Sequence, residues 1–352
     1  MKQLVLIFSL ILFSFSGRSQ MICESLLKDA QTAFDAGNYD GVISMLESGL
    51  TQCNFSNGEK ERAIIMMIYS QIQKDNPEAT DKLVYRLLKL NPNYVVPDPE
   101  VVSVYNSAIR KYQVSPSFLI GIQGGFNYPF AHIQKEYSIL EGADYGKPYT
   151  PQIGIVGGLH LEWIFFGGLS INADPTYSRS TYSRDIPTEQ SWNLKYSETS
   201  VNYDITGMLK YSVDLKSIRI FVAGGYQYLR LDKSFADLEI NGVSGSSQNG
   251  YPSYQLAVNK VDMIKSDLRR RDFGSLAIGA GTAIQTDNFV FSLEARFTFN
   301  GKNIVNSEKR YANSQLVLDY FYVDNDFDIR RTELRAGISY ILGHKIKLRK
   351  TR

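Results

Sequence analysis

Charged residues recur at alternate positions of segments that are otherwise apolar. In Phe289-Val290-Phe291-Ser292-Leu293-Glu294-Ala295-Arg296-Phe297-Thr298-Phe299 the odd positions are apolar, and Glu294 and Arg296 fall between them. Alternate side chains of a strand point to opposite faces, so such charges share one face and the apolar residues share the other. The same reading puts His160, Glu162, Asp174, Asp204, Lys210, Arg219, Glu333 and Arg335 on that charged face. If the face is enclosed, opposite charges must pair, because an isolated buried charge is costly. The chemistry this set supports is a salt-bridged filling with no pore. The alternative is a narrow ion path opened when pairs exchange partners.

Catalysis has little to draw on. A serine hydrolase needs a histidine within hydrogen-bond reach of its nucleophile, and the chain has 3 histidines, His132, His160 and His344. His160 with Glu162 and Ser170 is the one grouping, and serine is common on polar inner faces in any case. No catalytic residue, metal or cofactor is expected. A Gly/Ser/Gln/Asn-rich stretch ends in Lys265 and Arg269-Arg270-Arg271. It reads either as a contact for lipopolysaccharide phosphates or as a solvated loop end. In Tyr320-Phe321-Tyr322-Val323-Asp324-Asn325-Asp326-Phe327-Asp328 the carboxylates suggest calcium or the wet end of a strand, and the aromatics suggest contact with a partner barrel.

The elements that position these residues are eight alternating segments between Ser117 and Leu348. They are predicted at Ser117–Phe130, Pro151–Phe165, Gly167–Arg179, Lys195–Val213, Ser217–Leu231, Asp272–Thr286, Phe289–Asn300 and Thr332–Lys345. Tight turns and long gaps take turns between them, which is how a closed transmembrane β-barrel reads. Barrels of this kind place long loops outside and short turns in the periplasm, and an even strand count returns the C-terminus to the periplasm. The 23 tyrosines and 19 phenylalanines suit aromatic girdles at the two interfaces.

Residues 1–19 read as a secretory signal: Lys2, an apolar run from Leu4 to Phe15, and Gly17-Arg18-Ser19 before a cleavage at Gln20. Gln20-Met21-Ile22 does not make a lipobox for Cys23. The net charge of +2 exerts no bulk pull on nucleic acid. No later stretch offers the roughly 20 apolar residues of a membrane helix. Residues 20–114 read as helical, with helix-spaced apolar stripes and breaks at Gly37-Asn38 and before Pro77. Cys23 at the start of the first helix and Cys53 at the end of its antiparallel partner are predicted to form a disulfide, worth roughly 2–4 kcal/mol. Ser115-Pro116 is too short for a swinging tether, so the helices are expected close to the periplasmic barrel mouth.

The string Ala33-Phe34-Asp35-Ala36-Gly37-Asn38-Tyr39-Asp40-Gly41-Val42-Ile43 resembles the centre of a tetratricopeptide repeat, and Asn91-Pro92-Asn93-Tyr94 resembles the end of one. The chain as a whole resembles Bacteroidota outer-membrane β-barrel proteins of the OmpA-like or PorT-like type. The expected fold class is therefore α plus transmembrane β: a tetratricopeptide-like periplasmic domain, 20–114, followed by an eight-stranded antiparallel outer-membrane barrel, 117–348. No peptidoglycan-binding module is expected after the last strand. The resemblance implies a non-enzymatic accessory role in secretion or outer-membrane protein assembly, with outer-membrane lipid and other envelope proteins as partners. A free-standing structural or lipid-binding barrel, or a small channel, are the alternatives. One departure is that the last strand ends Tyr340-Ile341-Leu342-Gly343-His344-Lys345, without a terminal aromatic.

Overall fold

In a computed structural model, residues 25–96, 103–139, 147–187, 192–215, 218–243 and 253–349 are described. The expected signal peptide and Cys23 lie outside them. Contacts divide the chain into two units, Met1–Pro116 with His344–Arg352, and Ser117–Gly343.

The first unit holds the helices α1 (residues 25–35), α2 (Tyr39–Gln52), α3 (Asn57–Gln73), α4 (Pro77–Leu90) and α5 (Ser103–Arg110). Their ends are set by side chains that satisfy the orphaned amides of a first turn. Asn38 accepts from the Gly41 amide, Ser56 and Glu59 form a capping box, and Asn76 caps α4 with Pro77 in its first turn. Gly37, at φ +75, makes the reversal between α1 and α2 that a side chain would strain. The helices bury Ala30, Val42, Leu46, Ile64, Met67, Val84, Leu87 and Tyr105 in one core.

The second unit is a ring. The strands are β1 (Tyr112–Lys135), β2 (Thr150–Phe166), β3 (Leu169–Pro187), β4 (Trp192–Leu215), β5 (Ile218–Val243), β6 (Ser253–Asp262), β7 (Asp272–Gln285), β8 (Phe289–Phe299) and β9 (Asp326–Leu348). The order β4-β3-β2-β1-β9-β8-β7-β5, with β4 also paired to β5, closes eight of them. Every backbone group of a closed ring can find a partner in the next strand, so no edge is left in the ring. Gly167 and Gly168, both at positive φ, turn β2 into β3 in two residues, the geometry that matches strand twist.

The long loops differ from expectation. The stretch read as loop after Leu231 continues β5 to Val243, and β6 folds back on it from Phe235 to Val243, outside the ring. β9 begins at Asp326, six residues before the expected Thr332. The loop before it carries a 3-10 turn (Ser307–Lys309) and α6 (Ser314–Leu318).

Outward positions are apolar along a continuous band. Ile171, Tyr177, Tyr203, Ile205, Leu209, Val222, Tyr226, Leu276, Leu293 and Leu334 are all exposed large hydrophobics. Ring pairs sit near its margins, Tyr177 with Tyr203 at 5.7 Å and Phe289 with Tyr340 at 5.5 Å. The band runs Leu169–Tyr177 on β3 and Ile218–Tyr228 on β5, and a tilted strand needs about 9–11 residues to cross hydrocarbon.

Inside, side chains fill the ring in layers. Leu119, Phe221, Ala283, Val290 and Ile341 close the short-turn end. A larger apolar cluster closes the other end, with Tyr182, Ile186, Leu194 and Tyr196 from the ring and Met263, Leu268, Ile304, Leu316, Tyr322 and Phe327 from the long-loop end. Where neighbouring backbones approach closely, only glycine fits. A Cβ at Gly225 would collide with the Gly207 carbonyl oxygen and lie 2.6 Å from the Met208 Cα, both backbone atoms of β4. Gly225→Val is therefore expected to destabilise the ring by about 1–3 kcal/mol, read as a lower midpoint of urea unfolding in detergent. An unchanged midpoint would mean that the β4–β5 contact yields freely.

Candidate functional site

Two charged clusters occupy the interior, one between the apolar layers and one within the layer at the long-loop end. The first lies in the middle of the ring. β2 points His160 and Glu162 inward, β3 Ser170 and Asp174, β4 Lys210, and β8 Glu294 and Arg296. Lys210 donates to Glu162 at 2.6 Å, as does the Ser170 hydroxyl at 2.6 Å. The two ring nitrogens of His160 meet Asp174 at 2.7 Å and Glu162 at 3.2 Å. Arg296 continues the chain, donating to Asp174 at 2.6 Å and to Glu294 at 2.8 Å. The result is an alternation of cations and anions from Lys210 to Glu294 across four strands. Each carboxylate here has a cationic neighbour, which is the condition for keeping charges out of water.

Two further pairs lie on the same inner wall. Arg331 meets Asp204 at 3.3 Å, with Ser178 and Gln227 around it. Arg335 meets Glu333 at 2.5 Å. Arg219 is not in this network: it pairs with Asp214 at 2.6 Å beside the turn between β4 and β5. Sequence reasoning passed over Arg331, which lies two positions before Glu333 with the same inward parity. Ending the strand at Thr332 hid it.

The geometry does not make a hydrolase of His160 and Ser170. The serine hydroxyl donates to Glu162, and both histidine nitrogens face carboxylates. Nucleophile and base must share a hydrogen bond, and here they do not.

The second cluster lies beyond the apolar band, inside the long-loop end. Arg269 is fully buried there, which corrects the reading of it as a contact for lipopolysaccharide. Its guanidinium meets Glu198 of β4 at 2.7 Å and Asp324 of the loop before β9 at 2.8 Å. It also donates to the Tyr196 hydroxyl at 2.9 Å. Tyr182 donates to Glu198 at 2.6 Å, Tyr322 donates to Asp324 at 2.8 Å, and Ser234 donates to Glu198. The rings of Tyr196 and Tyr322 stack at 4.6 Å. Lys265, Arg270 and Arg271, the rest of that basic run, are exposed. Glu198 has the same even parity as Asp204 and Lys210, three inward positions beyond Asp204, so the same alternation carries it.

The carboxylates considered for calcium are engaged by cations. Asp324 meets Arg269, Asp326 meets Arg310, and Asp328 meets Arg330 at 3.2 Å and His132 at 3.2 Å. No group of three metal-ligating side chains occurs among the described residues. Nor are Tyr320 and Tyr322 available to a partner barrel, since both are buried. Between the two charged clusters lies a cavity of about 40 Å³, lined by Ser180, Ser200, Asn202, Ser275 and Arg331 among others. That space is large enough for a water molecule and is far below the size of a small-molecule site.

No family model matches the chain, and no characterised protein sequence matches it. Solved structures give distant likenesses. Neisserial surface protein A is 13% identical with a TM-score of 0.31, over 65% of this chain and 99% of that one. OprG from Pseudomonas aeruginosa is 11% identical with a TM-score of 0.32, over 64% and 95%. The Escherichia coli outer membrane protease OmpT is 10% identical with a TM-score of 0.27, over 65% and 98%. TM-scores near 0.3 are too low for these likenesses to say what this chain is or does.

Two predictions follow from the Arg269 cluster. Arg269→Ala would leave Glu198 and Asp324 buried without their cation, at a cost of roughly 3–5 kcal/mol. The loop before β9 should then become cleavable by protease while the ring stays folded in detergent; an uncut loop would contradict this. The second concerns pH. Burial pushes the Glu198 carboxyl up, but the Arg269 guanidinium outweighs it and holds the group below the usual 4.5. A carboxyl lowered on folding stabilises fully above its unfolded pKa and loses that contribution as pH falls through the folded value. Protection of the loop should hold from pH 7 down to about 4.5 and weaken below it, and Glu198→Gln should flatten that dependence.

Proposed function

We propose that this chain is a non-enzymatic outer-membrane protein. Its ring crosses the bilayer as a sealed anchor, and its helical unit stands in the periplasm as a binding module for a protein partner. The observation that carries the reading is the exposed apolar and aromatic band around a closed ring whose inner face is charged. An aqueous protein would hide such a band, since contiguous apolar patches beyond a few hundred Å² mark interaction or membrane surfaces. The filled interior makes an anchor a better reading than a channel, because apolar layers close both ends of the charged network.

In this reading the short turns and both termini face the periplasm and the long loops face outward. The helical unit resembles tetratricopeptide hairpins, and helical-repeat surfaces commonly receive peptides or proteins. A Cys23–Cys53 disulfide would clamp its first hairpin. The reading extends to a subunit of an envelope complex for secretion or outer-membrane protein assembly, in a Bacteroidota-type envelope. A structural barrel with lipid as its only partner is the second reading, favoured by the same band.

The test is isolation of the native protein from its own membrane in mild detergent. A reproducible stoichiometric protein complex that is lost when α1–α4 are disrupted by Val84→Asp supports the accessory reading. A lone monomer points to the structural barrel. In planar bilayers the purified chain should give no steady conductance. A conductance that changes in Arg296→Gln would overturn the sealed-anchor reading.

A further inference from the structure

The outward face of β3, β4 and β5 changes character over one row. Up to Tyr177, Tyr203 and Tyr228 the outward residues of these strands are apolar or aromatic, and all three tyrosines are exposed. The next positions bring cations. Tyr203 lies opposite Tyr177 on one side and Arg230 on the other. One row further from the band, Val201 lies opposite Arg179 and Lys233. Directly paired strand positions are about 4.5–5.5 Å apart, and successive outward rows about 7 Å apart. Three cations on two strands therefore flank a pair of tyrosine rings on one lipid-facing patch.

These cations differ from the arginines of the inner wall. Arg296, Arg331 and Arg335 of the inner wall are buried against carboxylates, whereas Arg179, Arg230 and Lys233 are exposed. None of the three has an ion pair among the described residues. Two carboxylates are near. Asp232 is the extra residue of the bulge at Val201/Asn202, and Asp272 lies opposite Arg230 and accepts from the Tyr228 hydroxyl at 2.5 Å. The bulge at Asp232 breaks the alternation, so that Lys233 keeps the outward parity of Arg230. Exposed cations are ordinary on a surface in water, but in the first row beyond hydrocarbon they also meet a phosphate layer, worth about 1 kcal/mol per lysine or arginine.

We propose that Arg179, Arg230 and Lys233 form a binding site for the phosphate groups of an anionic lipid in the leaflet on the long-loop side, with Tyr177 and Tyr203 packed against its acyl and sugar-level atoms. The proposal rests on the membrane reading above. It lies apart from the exposed loop cations Lys265, Arg270 and Arg271, whose neighbour Arg269 is buried inside the long-loop end. The occupant is a membrane lipid and not a soluble anion, because the site opens sideways, onto the apolar band.

The experiment uses the full chain folded in uncharged detergent, with native mass spectrometry as the readout and a bis-phosphorylated lipid A as the probe. The wild-type protein should retain the lipid, and Arg179→Gln/Arg230→Gln/Lys233→Gln should weaken retention about a hundredfold, three charges at the value above. Retention of phosphatidylcholine should not change. Equal retention of lipid A by both proteins overturns the site. So does inorganic phosphate binding alone with the same dependence on the three cations, which would assign it to soluble anions. If the triple variant does not fold, Arg230→Gln alone and a salt titration of the wild type decide: retention of lipid A must fall with salt while that of phosphatidylcholine does not. Failure of the wild type to insert into any bilayer would instead remove the membrane reading itself.

Discussion

The structure depends on closure of one hydrogen-bond ladder. An open edge would leave a row of amides and carbonyls unpaired, so the last strand meets the first. Here β9 lies between β8 and β1, and β4 meets β5, so the ladder has no end. Closure with eight strands fixes the diameter, and the enclosed space is only wide enough for side chains to fill. Everything inside must then be tightly packed, and buried charges need partners. The alternation of Lys210, Glu162, His160, Asp174, Arg296 and Glu294 follows from that limit. So do the apolar layers above and below it.

The same logic explains why the long-loop end is a folded structure of its own. Strands that run past the apolar band need another core. They find it by turning tyrosines and aliphatic residues inward and covering them with loop segments. A single arginine ties the pieces together: Arg269 reaches β4 through Glu198 and the loop before β9 through Asp324. Burial leaves the hydroxyls of Tyr182, Tyr196 and Tyr322 well above their usual pKa, so they stay protonated and serve as donors to those carboxylates. Arginine suits this place because its planar fork can serve two carboxylates and a hydroxyl at once.

Much of this was legible in the sequence, for a definite reason. The period of two is imposed by the strand itself, so it exposed the ring, the short turns and most inward charges, including Asp174 and Arg296 from distant segments. Helix ends are legible at Gly37-Asn38 and before Pro77, because helix breaking is local chemistry, whereas the Ser56–Glu59 capping box emerges only in the structure. What escaped depends on contacts remote in sequence. Nothing near Arg269 says that it is buried, since its partners lie 71 and 55 residues away. The hairpin of β5 and β6 was hidden because a Gly/Ser-rich tip was taken to characterise the whole loop. Arg219 has the parity of the inner wall but sits where the ring ends, and a nearby Asp214 claims it.

The measurement closest to the central claim is the depth of the outward face. Nitroxide labels placed at Leu209, Val222 and Leu293, and separately at Thr181 and Thr199, can be probed in lipid vesicles with oxygen and with a water-soluble nickel chelate. The account predicts that the first three labels collide with oxygen and are shielded from nickel, while the last two show the reverse. Equal access of nickel to all five positions would contradict a ring immersed in hydrocarbon.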